Sequence, residues 1–222
     1  MSEPQVPDLG RSLILVHRVV TRGLLVTIER SRTFEKDGFP DPVTRDSFVD
    51  YVQSLATFLH GHHTAEDDIV FPALRATLTD APYAVWARQH QAMVPLVTHM
   101  REAVAVAAGA DAGAALRDVN RCAGRIEEGW HAHFKSEEEH LTSDRIAAAL
   151  SADELAQLAG RIGAHNREHL QPDYLLMPFT LYNLSAEDRA ALSVALPPVA
   201  VNEQVPGPWR DKWQPMASFL LP

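Results

Sequence analysis

Cysteine is almost absent from this chain: Cys122 is the only one in 222 residues. No intrachain disulfide can form, which fits a reducing cytoplasm. Long apolar runs are missing too, since none approaches the roughly 18 residues a membrane span requires. Residues 1–10 lack the basic flank and apolar core of a signal peptide. A cytoplasmic location with no membrane partner is therefore expected. Positive charge is in deficit, and the net charge of −9 argues against nucleic acid or an anionic membrane as the main partner. β-Branched runs are scarce and no hairpin signal appears, so little in the chain favours a sheet. Solenoid-type repeats and low-complexity blocks are also lacking.

What the chain does carry is helical periodicity. Its length suffices for one core, or for one domain with an appendage. A first helix is predicted from about Leu9 to Phe34, with Leu13, Val16, Val20, Leu24 and Ile28 on one stripe. "EKDGFPDP" breaks it. A second runs from about Thr44 to Leu78, with a kink or frayed end expected at Pro72. A third covers about Tyr83 to Ala108, with a bend expected at Pro95, and "GADAG" makes the next turn. A fourth covers about Ala114 to Leu150. Beyond it, Ser151 and Glu154 form a capping box for a fifth helix, and Ser185 caps a short sixth. The remaining segments are rich in proline and aromatic residues, and suit an irregular wrap. The expected architecture is all-α: an up-down-up-down four-helix bundle over residues 1–150, with a helical, partly irregular C-terminal extension over 151–222 packed on it.

Placed on those helices, the histidines form a pattern. Helix one carries His17, and helix three carries His90. Helix two carries His62 and Glu66, and helix four carries His133 and Glu137, both pairs at i, i+4. An i, i+4 pair shares one helical face and can hold one ion. Counted from the turns, His17 falls at a similar height to His62, and His90 at a similar height to His133. His90 and Glu66 differ by roughly 9 Å of rise, part of which a kink at Pro72 can absorb. Four imidazoles and two carboxylates facing inward are too costly to bury without a cation. Six side chains are too many for one four-coordinate zinc. Mixed imidazole and carboxylate ligation suits iron or manganese better than calcium or magnesium. Two ions bridged by Glu66 and Glu137, with positions left for water or a small diatomic ligand, fit the set.

The order His17, "HHTAE" (His62 to Glu66), His90, "HFKSE" (His133 to Glu137) resembles the hemerythrin-like, or HHE cation-binding, proteins over about residues 10–150. "HHTAEDDIVFP" is close to a hallmark of that family. The resemblance implies a four-helix bundle with a non-haem, carboxylate-bridged centre of two iron ions, manganese and zinc being compatible with the same ligand types. It implies a protein that handles dioxygen, peroxide or nitric oxide by binding, sensing or stress protection. The alternative it implies is a di-iron enzyme with catalase-like peroxide disproportionation or ferroxidase activity. Oxygen-carrying hemerythrins have an aspartate-bearing motif on the last helix and one more histidine. Glu137 stands in that motif here, which points to the more varied HHE branch.

Several neighbours stay open. His63 with Asp67 is an alternative register to His62 with Glu66, and Asp67 and Asp68 otherwise lie outside the site. His60 offers a fifth imidazole or a supporting hydrogen bond. Glu138, Glu139 and His140 read as a solvated charge run, and His99 and His131 as surface. His165 and His169 are a second i, i+4 pair, placed against the bundle mouth, in solvent, or at a second metal. Leu175, Leu176, Met177 and Phe179 read as core; if exposed, they would mark a homodimer surface through the C-terminal extension. Trp209 and Trp213 either pack over the bundle end or reach a partner chain.

Overall fold

The computed structural model describes residues 8–109 and 112–222, and every regular element among them is helical. Residues 1–7 of the stretch read for a leader, and residues 110–111 of the "GADAG" turn, lie outside the described residues.

Local chemistry sets the helix ends. α1 (Leu9–Asp37) starts where Asp8 accepts a hydrogen bond from the Arg11 amide, and stops at Gly38, whose φ of 77° suits a residue without Cβ. α2 (Pro42–Ala65) starts with Asp41 accepting from Thr44 and Pro42 in the first turn. One breaker segment thus closes α1 and opens α2.

α2 does not run on to Leu78. It passes into a π turn over Glu66–Val70 and a short α3 (Phe71–Leu74), and residues 75–82 form turns. The expected disruption at Pro72 takes this form. Proline lacks the amide hydrogen and its ring crowds the carbonyl four residues back. The widened turn relieves that crowding, with the Phe71 amide donating to Glu66 five residues back. Residues counted as rising along α2 therefore do not all rise, which removes the height mismatch between Glu66 and His90.

α4 (Tyr83–Ala107) continues through Pro95. α5 (Ala112–His140) ends earlier than its periodicity suggested. Thr142 caps a separate α6 (Ser143–Ala149) by accepting from the Arg145 amide. α7 (Ala152–His169) opens on the expected capping box, Ser151 with Glu154. α8 (Asp173–Tyr182), in a segment read as irregular, is a helix rich in apolar side chains, and α9 (Ala186–Ser193) starts at Ser185 as expected. A second π turn (Ala200–Gln204), α10 (Arg210–Trp213) and a 3₁₀ turn (Gln214–Phe219) finish the chain.

α5 packs between α1 and α4, and α2 packs on α4 and α1. A large apolar cluster, including Val20, Leu24, Leu55, Leu59 and Trp130, fills the space between these helices. A smaller one joins Phe71, Leu74 and Trp86 to Leu141, Ile146 and Leu155. The C-terminal segments add to the first cluster. Phe179 packs on Tyr51 and Phe58, and Phe219 on Phe34, Phe48 and Tyr51. The stripe read as core is buried within the chain at Leu176 and Phe179. Trp213 stacks on Tyr182, so it packs within its own chain.

Candidate metal centre

Between the two apolar clusters lies a polar one. On α5 the inward stripe Ile126, Trp130, His133, Glu137 is buried along its whole length, so His133 and Glu137 enter at helical spacing. α1 brings His17, α2 brings His62, the π turn brings Glu66 and α4 brings His90. All six predicted residues meet. His17 Nε2 lies 3.2 Å from Glu137 Oε2. His62 Nε2 and His90 Nε2 are each 3.5 Å from Glu66 Oε2. His133 Nε2 is 3.4 Å from Glu137 Oε1, and His90 Nε2 is 3.7 Å from the same oxygen.

His63 joins them, in addition to His62 rather than in place of it. Its ring stacks on His90 with centroids 4.0 Å apart, and stands edge-on to His133. Ligand atoms within 4.8 Å of one another form three overlapping groups: His17, His62, Glu66 and Glu137; Glu66, His90, His133 and Glu137; and His63, His90 and His133. The first two groups share both carboxylates.

The donor set has the mark of a cation site. Both oxygens of Glu66 and of Glu137, and the Nε2 atoms of His17, His62 and His63, are buried without a hydrogen-bond partner. Native proteins seldom leave buried polar atoms unmatched, and seven converging on one point are too expensive to hold without a counter-charge. The residues fit a metal.

Behind the donors stands an outer layer. Glu138 Oε1 lies 2.9 Å from His17 Nδ1, Asp67 Oδ1 3.0 Å from His90 Nδ1, and Gln89 Oε1 3.0 Å from His133 Nδ1. Each acceptor faces the Nδ1 edge and leaves Nε2 directed inward. This corrects two expectations. Asp67 serves the site instead of lying outside it, because the π turn swings it towards His90. Glu138 is not part of the solvated run, because it reaches across to α1. Gln89 had no sequence signal; a neutral amide beside a histidine is unremarkable. The "HH" doublet, the acidic pair after Glu66 and the "EEE" run were the visible signals for the other three.

Electrostatics separates the imidazoles. Burial works against a charge on His17 and on His90, yet the carboxylates that face them, Glu137 and Glu138 for the first and Asp67 and Glu137 for the second, outweigh it and raise both pKa values. His62 and His63 are pushed well below the ordinary value by burial and by neighbouring imidazoles. Burial takes His133 to about 4, against the pull of Glu137. Apolar rings seal the cluster. Trp130 lies against His17, His62, His63 and His133, and Phe71 stacks on His90.

The other histidines stand apart. His60 is exposed and supplies no fifth imidazole, and His99 and His131 are at the surface. His165 lies against α2, its Nε2 3.1 Å from Thr64 Oγ1 and 3.2 Å from the Gly61 carbonyl, with the His169 ring 4.1 Å away.

The hemerythrin HHE cation-binding domain model matches residues 12–144. The chain belongs to that family. Every donor described above lies inside the matched span, and the HHE domain is a cation-binding one. No curated protein and no solved structure matches the chain.

Proposed function

We propose that this HHE protein holds two non-haem iron ions bridged by Glu66 and Glu137, and handles dioxygen, peroxide or nitric oxide by binding, sensing or stress protection. One observation carries the reading: two four-residue donor groups share the same two carboxylates, whose four oxygens have no other partner. His17 and His62 serve one ion. His90 and His133 serve the other, and His63 is a fifth imidazole on that side. Such a pair of ions supplies Lewis acidity and electrons to a small ligand.

The chain's own residues do the rest. Glu138, Asp67 and Gln89 accept hydrogen bonds from the Nδ1–H groups of His17, His90 and His133, which leaves the Nε2 lone pairs directed inward. Trp130 and Phe71 keep bulk water off the donors, which strengthens every interaction inside. In this reading residues 1–150 form an up-down-up-down bundle that carries the site, and residues 151–222 are an extension that braces it.

The test is metal content per chain, with an ultraviolet–visible spectrum, on aerobically purified protein. Two irons and near-ultraviolet charge-transfer absorption are expected, and both His62→Ala and Glu137→Ala should abolish loading of two metals. Absence of any transition metal after anaerobic ferrous reconstitution, or two metals retained in both variants, would overturn the reading. Peroxide turnover by the loaded protein would separate an enzyme from a binder.

A further inference from the structure

A cavity of about 440 Å³ opens beside the outer edge of α1 and α5, walled by Ile14, Arg18, Arg22, Phe134 and Glu138, and it reaches His17. His17 is a member of the donor cluster, with Nε2 facing Glu137 and Nδ1 facing Glu138. A single imidazole and its carboxylate partner thus separate this cavity from the buried donors. Glu138 keeps a side chain 27% exposed, so the inner wall of the cavity is wet on one side. On other sides the donors meet broad apolar surfaces, with Trp130 against four imidazoles and Phe71 against a fifth.

We infer that this cavity is the port through which small ligands reach the metal centre, and that it favours neutral ones. The inference rests on the two-metal reading above. The preference follows from charge. Arg18 is paired with Asp188 at 2.6 Å, and Glu138 keeps its negative charge, since a metal-bound His17 is neutral. Arg22 donates to the neutral Phe219 carbonyl at 2.9 Å, so its positive charge offsets that of Glu138 across the wall. The lining is balanced, and a small neutral molecule enters on shape alone. Hydrogen peroxide, dioxygen and nitric oxide fit, and an anion such as azide enters only while Arg22 opposes Glu138.

Two wall substitutions test the port without touching a donor or its hydrogen-bonding partner. Leu25 lines the same cavity and is half-exposed, so Leu25→Trp narrows the mouth with little burden on folding. Arg22→Gln removes the charge. Azide and nitric oxide association with the iron-loaded protein are followed by stopped-flow absorbance, with metal content measured on each sample. Leu25→Trp should slow association and dissociation of both probes about tenfold, leaving iron content and equilibrium affinity unchanged. Arg22→Gln should slow azide alone, several-fold at low salt, with the difference vanishing at high salt. Unchanged rates in Leu25→Trp, and in Ile14→Trp as a second plug, with iron fully loaded would overturn the port alone. A wild-type chain that takes up no transition metal would end the two-metal reading and the port with it.

Discussion

Glu66 and Glu137 share the His90 imidazole, whose Nε2 lies 3.5 Å from one and 3.7 Å from the other, yet their acidities diverge. Burial, then the charge of Glu137, pushes Glu66 well above the ordinary carboxylate range. Burial also opposes ionisation of Glu137, but the imidazoles of His17 and His90 facing it overcome it and hold that group below the range. The raised proton affinity of Glu66, His17 and His90 is gathered where a cation would sit.

Protons bound there have to leave when metal binds, because ligation needs bare carboxylates and neutral imidazoles. His17 and His90 have raised pKa values, so they hold protons above the ordinary histidine value, and Glu66 holds one above the ordinary carboxylate value. Metal uptake near neutral pH should therefore release protons, and apparent affinity should fall as pH falls. Titration calorimetry in two buffers of different ionisation enthalpy reads the number directly. Zero protons released at pH 7 would contradict this charge arrangement.

Glu138→Gln addresses the outer layer. The amide oxygen can still accept from His17 Nδ1–H, but the negative charge that holds the imidazole is gone. Metal affinity should fall about tenfold, with full loading recovered at saturating metal. Competition against a calibrated chelator measures it. An unchanged affinity would mean that Glu138 is not needed to orient His17.

Much of this arrangement was legible in the sequence, and the omissions have physical reasons. Helical spacing alone placed His133, Glu137 and the stripe of Ile126 and Trp130, because α5 is regular there. The same rule failed beyond Glu66, where a π turn breaks the 3.6-residue period and swings Asp67 to His90. It could not admit both His62 and His63, since adjacent residues diverge by about 100° on an ideal helix; the cluster is wide enough to lie between them. Glu138 was hidden because its partner lies 121 positions away on α1. α8 was missed because Pro172 and Pro178 interrupt its sequence, although the first precedes the helix and the second is buried inside it.

Gly10 tests how α6 is held. A Cβ built there would strike the backbone of Ser143 at the start of α6, where nothing can give way. Asp8 also accepts from the Ser143 hydroxyl at 2.6 Å, so this corner ties α6 to the start of α1. Gly10→Ala should cost about 1–3 kcal/mol by overpacking. Urea denaturation should show a lower midpoint with an unchanged slope, and an unshifted midpoint would show that α6 is free to move away.

Phe179→Ala asks whether the C-terminal extension belongs to the same folding unit as the metal site. Phe179 is fully buried, with its ring 5.1 Å from Tyr51 and 6.0 Å from Phe58 on α2. Beside it the Tyr51 hydroxyl donates to Asn183 Oδ1 at 2.7 Å, so the same helix face gains a directional tie. Truncation removes a large apolar side chain from a site already closed around it, and should cost about 3–5 kcal/mol. If the extension braces the bundle, helical circular dichroism and Trp fluorescence will shift together to a lower midpoint in one transition. An early second transition, with the midpoint of the main one unmoved, would show that α8 peels away on its own and that α2 holds His62 and His63 without it.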